Sequence, residues 1–383
     1  MAQEIAVMDI GSSKITVMIG ERGVNDTICI HGMGESTYAG FCEGQWYQPN
    51  ELGKAVTKAI TLAQTNSGKR IKHLYIGVPG EFTVTKCKEV NLAFNRKHKI
   101  TEEDVDELHE RGNTFEGDSE YSLINSQPVF YLLEDDRKTV QPIGMTSSKL
   151  RGIISYILAE NSFIDAFDKI LQQSELESYD YVSSLLAETL YLFDEQTRDS
   201  IVVLIDVGYL VTYVIVARGD GILKQFSIPL GGGHITEDLK EYLGVKFTAA
   251  EKLKRKVNLS LEVDESETYS VAVKDRVTAY GAKQVNDVVT AKLSTLAKVI
   301  RKCLITCDYP DNIPYHLTGG GISYIGGARS FLAKKLERDV EAASPMLPQY
   351  AKPHMSSLFG LMDMVLNQEE TSPKGFFAKI FGR

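Results

Sequence analysis

Two stretches of this chain end an apolar run with an acid and a glycine: Ile5 to Gly20, IAVMDIGSSKITVMIG, and Ile201 to Val216, IVVLIDVGYLVTYVIV. In the first, Asp9 is followed by Gly11, Ser12, Ser13 and Lys14; in the second, Asp206 is followed by Gly208. A hairpin of this kind is either a plain turn or a cradle. In a cradle, backbone N–H groups and small hydroxyls meet a phosphate while the acid addresses its metal. One copy alone reads as a turn. Its recurrence half a chain away, within two β-rich segments, points to two similar lobes that present both hairpins to one polyphosphate across a cleft.

Three further stretches have residue types suited to such a ligand. Gln225 to Leu239, QFSIPLGGGHITEDL, runs from a strand through three glycines, Gly232 among them, into a helix capped around Thr236. Tyr315 to Gly327, YHLTGGGISYIGG, is a strand ending at Thr318, with Gly319 and Gly320 following and a helix starting at Ala328. Glycines there admit a group close to the backbone, either a flat purine or a tight strand-to-helix turn. In Thr248 to Lys256, TAAEKLKRK, Glu251 and Lys254 stand three apart on one helix face, as a solvated ion pair or as ligand contacts.

The elements that must position these residues are those of an α/β protein. Thr27 to Thr37 continues the opening hairpin as a third strand. The spacing of Leu52, Val56, Ala59, Ile60 and Ala63 predicts a helix over 50–65 with Asn50 as its cap, and His73 to Val78 is a buried strand closed by Pro79-Gly80. Residues 83–160 read as an inserted small α+β module, with short strands at 82–90, 129–133 and 152–158 and an acidic helix opened by the TEED at Thr101. Its strand edges suit a partner, a second copy of the chain, or an ordinary structural role. From 161 to 193 the period is helical, with one stripe of Phe163, Phe167, Ile170 and Leu171 and another of Leu185, Leu186, Thr189 and Leu190. After a polar stretch near 266, Val285, Val288, Leu293 and Leu296 mark another helix.

Composition sets the class. At 383 residues the chain is long for one core, and 43 % hydrophobic with 24 % charged residues is the balance of a folded protein. A net charge of -9 without a basic stripe argues against nucleic acid as a partner. Five scattered cysteines without CxxC pairs suit a reducing compartment. The start lacks the pattern of a signal peptide, and no apolar run approaches the roughly 18 residues of a membrane span, so a cytoplasmic location is expected.

The order of motifs resembles the actin, sugar-kinase and heat-shock-chaperone ATPase superfamily, and within it the FtsA family of bacterial division proteins. The match rests on DIGSSKI at Asp9 to Ile15, the hairpin at Asp206, IPLGGGHITEDL at Ile228 to Leu239, AEKLK at Ala250 to Lys254, and LTGGGISYIGG at Leu317 to Gly327. It covers nearly the whole chain. The resemblance implies an actin-like two-lobed ATPase fold with duplicated sheet-and-helix domains, an inserted small domain and a C-terminal amphipathic helix. The first lobe would take 1–82 and 161–198, and the insertion 83–160. The second lobe would take 199–233 and 314–366, with a smaller subdomain at 234–313.

By the same resemblance, ATP and Mg2+ are the expected cofactors. Gly11, Ser12, Ser13 and Lys14 would hold the terminal phosphates, and Asp9 and Asp206 would address the metal through water. Gly208 belongs to the second phosphate hairpin, while Gly232, Glu251, Lys254, Gly319, Gly320 and Ile322 would surround the adenosine. The second hairpin departs from the family's approximate DIGGGTTD: Tyr209 and Leu210 replace glycines that approach phosphate, and Tyr213 replaces the closing acid. Residues 181–190 offer no clear Gln or Glu at the place where relatives position an attacking water; Glu188 is the only nearby candidate. Nucleotide binding with slow or absent hydrolysis is the resulting expectation.

The C-terminus adds a second function. Residues 367–371 read as a polar linker before a helix over 372–383. At 100° per residue Phe376, Phe377, Ile380 and Phe381 share one broad arc, with Lys374 near its far edge and Lys379 and Arg383 outside it. This is the pattern of an interfacial membrane anchor; docking on the body or on a partner is the other use of such a helix. Four apolar side chains at roughly 1.5 to 3 kcal/mol each, less the cost of ordering, make a weak anchor alone and a strong one on a polymer. The family implies membrane lipid, the FtsZ C-terminal peptide, further copies of the chain in a filament and downstream division proteins as partners. The expected place is the inner face of the cell membrane at the division site. A pilus-assembly adaptor of the PilM type and a sugar-kinase-type phosphotransferase are the alternatives.

Overall fold

The computed structural model describes residues 4–42, 44–273, 276–307, 309–310, 312–345 and 352–371. The predicted helix at 372–383, with Lys374, Phe376, Phe377, Lys379, Ile380, Phe381 and Arg383, lies outside the described residues. The chain divides into two compact units. One holds the described residues of 1–201, 215–225 and 357–383, the other those of 202–214 and 226–356.

The opening apolar runs form β1 (Ile5–Ile10) and β2 (Lys14–Arg22), antiparallel in the register Asp9↔Thr16, and β3 (Ile28–Thr37) pairs antiparallel with β2. Two short strands, β4 (Phe41–Cys42) and β5 (Gln45–Trp46), pair with each other. Helix α1 (Pro49–Ser67) starts one residue before the expected cap, with Gln48 as the actual N-cap, because Pro49 takes the first helical turn, where its missing N–H leaves nothing unsatisfied. It lies so close to β3 that a Cβ on Gly34 would stand 2.1 Å from the Ala59 carbonyl oxygen. β6 (His73–Val78) then pairs parallel to β1.

The insertion follows with longer strands than its alternation suggested: β7 (Thr83–Lys99), then α2 (Glu102–Gly112), β8 (Tyr121–Leu132), the short β9 (Lys138–Thr139) and β10 (Thr146–Glu160). They form a sheet in the order β7-β10-β8-β9. Thr101 and Asp104 make a reciprocal capping box at α2, the helix the TEED motif predicts. Leu108 of α2 packs with Leu92, Tyr131, Ile154 and Tyr156 in a core of the insertion's own.

The segment expected as purely helical resolves into α3 (Asn161–Leu171), β11 (Ser178–Ser183), α4 (Ser184–Leu192) and the short α5 (Glu195–Arg198). β11 runs parallel to β6 at the sheet edge, which explains why its residues are mostly polar and half-exposed. The first sheet is therefore β11-β6-β1-β2-β3.

The second repeat follows with β12 (Val202–Val207), β13 (Thr212–Arg218), β14 (Gly221–Ile228), α6 (Gly232–Leu243) and α7 (Phe247–Lys254). A hairpin not anticipated in the polar stretch, β15 (Thr268–Val273) and β16 (Arg276–Gly281), leads into α8 (Ala282–Leu304). In α8 it is Val289, one residue beyond the expected Val288, that is fully buried. β17 (Tyr315–Thr318), α9 (Ala328–Leu336) and β18 (Val340–Ala342) complete the repeat.

The second sheet reads β14-β13-β12-β17-β18, with β12, β17 and β18 parallel. Position for position it repeats the first, with β12 standing for β1 and β17 for β6. The internal repeat of sequence is thus a repeat of topology.

Helix α10 (Ser356–Thr371) crosses the expected boundary between the second lobe and the linker. Residues 367–371 continue the helix instead of forming a linker, with Asn367 Nδ2 donating to Asp363 Oδ2 one turn back. From Ser357 onward the helix groups with the first unit. There a Cβ on Gly360 would stand 2.7 Å from the Ala187 carbonyl oxygen, and Leu361 fills the space left by Gly77. Residues 215–225 also group with the first unit, where the Ser155 hydroxyl donates to the Ile222 carbonyl at 2.6 Å.

Candidate functional site

The first hairpin brings Asp9 to the end of β1 and closes its turn with Gly11 N–H donating to Lys14 O at 2.9 Å. Ser12 and Ser13 form the turn. Two groups from the following segment hold it: Tyr38 N–H donates to Ser13 O at 3.0 Å, and the Tyr38 hydroxyl donates to Gly11 O at 2.8 Å. Trp46 Nε1–H in turn donates to the Tyr38 hydroxyl at 3.3 Å. The indole stacks on Phe82 with centroids 4.5 Å apart and planes 11° apart, and meets Phe163 and Phe167 at 5.7 Å each. Phe82 precedes the insertion and Phe163 follows it, so the phosphate-type turn is tied to the stem of the inserted module.

Burial pushes the Asp9 carboxyl above the usual range, opposed by the Ser357 hydroxyl, which donates to Oδ1 at 2.7 Å, and by Lys14. A desolvated acid of this kind regains its charge when a cation is present. Lys14 points its ammonium to Glu35, 2.6 Å away.

In the second unit the glycines have a shared structural role. Gly208 N–H closes its turn on Val211 O at 2.9 Å. Gly232 and Gly233 N–H groups, at the start of α6, donate to Gly208 O at 2.9 Å and Tyr209 O at 2.7 Å, and Gly321 N–H donates to Val207 O at 2.7 Å. Three turns thus pack backbone on backbone. A Cβ on Gly321 would sit 2.1 Å from Gly208 O, one on Gly232 2.3 Å from Gly321 O, and one on Gly319, where φ is +100°, 2.2 Å from Asp206 Oδ1. At Gly320 the neighbour is His354 Cβ at 2.7 Å. The group that approaches these glycines closely is therefore the chain itself.

Helix α6 begins at Gly232, not near Thr236; the His234 ring accepts the Gly231 N–H, and burial lowers its basicity. Thr236, inside the helix, donates to Glu251 Oε2 at 2.6 Å. Lys254 is buried and donates to Gly232 O at 2.9 Å while pairing with Glu251 at 2.7 Å. Arg255 Nε donates to the other Glu251 oxygen at 2.9 Å. Burial holds the Lys254 pKa down; for Glu251 burial is outweighed by Lys254, Thr236 and Arg255, which hold its carboxyl low. This pair is a clamp on the start of α6, not a solvated surface pair.

Arg255 also lies over the Tyr324 ring at 4.9 Å, and the Tyr324 hydroxyl bonds His354 Nδ1 at 2.8 Å. Tyr209 lays its ring on Gly233, and Ile322 is buried. Glu188 is buried in α4 of the first unit. Next to Asp206 in register stands Thr318, whose buried hydroxyl has no partner among the described residues. An acid beside an orphaned hydroxyl fits a hydrated cation, and on the first unit the desolvated Asp9 fits one too.

Sequence reasoning missed Tyr38, Ser357, Thr236 as a Glu251 partner, Arg255 and His354. Ser357 gave no signal, being 348 residues from Asp9. Tyr38 and Trp46 were detectable only as aromatics shortly after the third strand.

Solved structures of 9–16 % identity share this fold. A PilM-PilN type IV pilus biogenesis complex matches 96 % of this chain and 99 % of its own with a TM-score of 0.61. MreB5 of Spiroplasma citri bound to ADP matches 97 % and 99 % with 0.59. The protein is of the actin-like ATPase-fold class, with an inserted domain. Residues 203–360 match the model described as cell division protein FtsA, and residues 82–157 the model of the SHS2 domain inserted in FtsA. Cell division protein FtsA of Neisseria meningitidis is 23 % identical over 97 % of this chain and 92 % of its own length, and that of Bacillus subtilis 22 % over 88 % and 78 %. This chain belongs to the FtsA family of cell division proteins.

Proposed function

We propose that this chain binds ATP with magnesium, polymerises on the inner face of the cytoplasmic membrane, and tethers the FtsZ ring there. The residues 372–383 are its anchor, and other division proteins are recruited downstream. The observation that carries the reading is the match of both the actin-like body and the inserted module to models of one division-protein family. In this reading Asp9 and Asp206 address the metal, Gly11 to Lys14 and Gly208 face the phosphates, and Gly232, Glu251, Lys254, Gly319, Gly320 and Ile322 build the adenosine side. Magnesium would neutralise phosphate charge; the residues' own part is to fix the turns that receive it.

Hydrolysis is slow or absent in this proposal. Tyr209 stands on Gly233 at the start of α6, and the Gly232 and Gly233 N–H groups already donate to the hairpin's own carbonyls. Turnover at the roughly 1 to 100 per second of metabolic kinases would refute that part. The whole reading is tested by electron microscopy of the protein on lipid monolayers with and without ATP, and by cosedimentation with FtsZ. Filaments that need ATP and bind FtsZ support it; a monomer that ignores both overturns it. The PilM-like adaptor is kept as a second reading on the structural likeness to the PilM-PilN complex. Selective binding of a pilus-protein N-terminal peptide, with none to FtsZ, would favour it. Among the described residues no helix is long and apolar enough to cross a membrane.

A further inference from the structure

We propose that Glu21, Cys29 and His31 form a zinc site on the β2–β3 hairpin, a function outside the nucleotide reading. The three donor atoms, one carboxylate oxygen, one thiol sulfur and one ring nitrogen, all lie within 4.8 Å of one another. Glu21 and Cys29 face each other in register across the two strands.

His31 arrives by a local irregularity. Ile19 pairs with Gly32 and Gly20 with Ile30, which leaves His31 as the extra residue of a β-bulge. Bulges re-aim a side chain. Here the bulge brings His31 Nε2 to 3.4 Å from Glu21 Oε1. Gly20 is what permits the kink, since a Cβ there would stand 2.8 Å from the Cys29 carbonyl oxygen.

A second observation points to a ligand. His31 Nε2 is shielded from solvent and has no hydrogen-bond partner among the described residues, although it faces a carboxylate. A buried ring nitrogen aimed at an acid and a thiol is satisfied by a cation that all three share.

The donor set selects the metal. Thiolate with imidazole and carboxylate suits zinc, whereas calcium and magnesium take oxygen alone. Tetrahedral zinc with Zn–S of about 2.3 Å and Zn–N or Zn–O of about 2.0 to 2.2 Å needs donors roughly 3.3 to 3.8 Å apart. Cys29 is exposed and Glu21 half-buried, both beside the connection from β2 to β3, so side-chain rotation is the movement that closes the present spacing to that geometry. Three protein donors leave the fourth position to water. On binding, the Cys29 S–H bond breaks, the Zn–S bond forms, and the proton leaves to solvent, with no change of oxidation state.

The experiment uses the reduced, chelator-stripped full chain without nucleotide, so its result is independent of the ATP reading. Cobalt(II) is titrated into the wild type, Cys29→Ser and His31→Gln, followed by displacement with zinc. Cys42, Cys87, Cys303 and Cys307 remain as an internal background in all three proteins. The expected result is one equivalent of cobalt with sulfur-to-metal charge-transfer absorption and tetrahedral d–d bands, displaced by zinc. Affinity should fall at least tenfold in each variant. In parallel, zinc should slow alkylation of the Cys29 peptide, read by mass spectrometry, which needs no variant to fold. Equal binding in all three proteins, or Cys29 alkylation indifferent to zinc, overturns the proposal.

Discussion

Replacing Tyr38 with phenylalanine removes a single oxygen that serves two groups, the Gly11 carbonyl at 2.8 Å and the Trp46 indole N–H at 3.3 Å. Both lie in partly buried surroundings, so each orphaned group costs on the order of 1 kcal/mol, and the ring itself keeps its packing. A total of about 1–2 kcal/mol follows. For a unit of this size that corresponds to a fall in melting temperature of roughly 2–4 °C per kcal/mol. Because the lost bond also fixes the turn after Asp9, ATP affinity should weaken by up to about tenfold, equivalent to 1.4 kcal/mol.

The chain carries one tryptophan, so its emission reports on Trp46 alone. In the wild type, Mg-ATP should change that emission through the Gly11–Tyr38–Trp46 path; in Tyr38→Phe the response should be small even at saturating nucleotide. A variant that melts like wild type, binds ATP equally and shows the same emission change refutes the reasoning. Wild-type protein that fails to bind ATP at all refutes the nucleotide reading instead, while the melting data still judge the hydrogen bonds.

Other perturbations have distinct signatures. Gly321→Ala puts a Cβ 2.1 Å from the Gly208 carbonyl, backbone against backbone, and should cost several kcal/mol, read as loss of amide-exchange protection in β12 and β17; near-wild-type protection would show the turns yield. Glu251→Gln leaves the buried Lys254 ammonium uncompensated and should cost about 3–5 kcal/mol in urea melts, with part of it recovered in Glu251→Gln/Lys254→Met; a single-variant cost under about 0.5 kcal/mol would count against the clamp.

His109 is buried between Ser126 and Tyr131, and burial pushes its pKa down to about 4 from 6.5. The unfolded chain therefore takes up a proton between those values that the folded one refuses. Stability of the inserted domain falls as pH drops from 6.5 to about 4, by roughly 3 kcal/mol, and is flat in this term above 6.5. His109→Gln should abolish that slope, which exchange protection measured across the pH range would reveal. Deleting residues 372–383 should release the protein from anionic vesicles; a truncated protein that still pellets with them has its anchor elsewhere.

Much of this architecture was legible because it is written in local patterns. Apolar runs broken by Asp-x-Gly gave both hairpins, and the position of TEED gave α2 with its cap. β11 was missed because Ser178 to Ser183 sits at an edge, where polar residues are tolerated and the alternation is weak between two strongly periodic helices. The glycine triplets were correctly read as sites of close approach, but a pattern of missing side chains does not say what approaches. At 319–321 it is the carbonyls of Val207 and Gly208 and the Cβ of His354. The helix start at Gly232 was misplaced to Thr236 because its capping comes from His234 and from the hairpin's carbonyls, a tertiary arrangement. Asp9 was evident from the start, whereas its hydroxyl partner Ser357 belongs to the last helix.

That last helix also dictates when the molecule can be finished. Leu361 and Gly360 close the packing around Gly77 and Ala187, and Ser357 meets Asp9 across 348 residues of chain. During synthesis the first strands emerge long before these contacts exist. At about 5–20 residues per second they wait tens of seconds, with an apolar sheet face uncovered. Folding of the first unit is therefore completed only after α10 has been made and has left the ribosome. Nascent chains arrested before residue 356 should be clients of chaperones, and chains released with α10 in place should not.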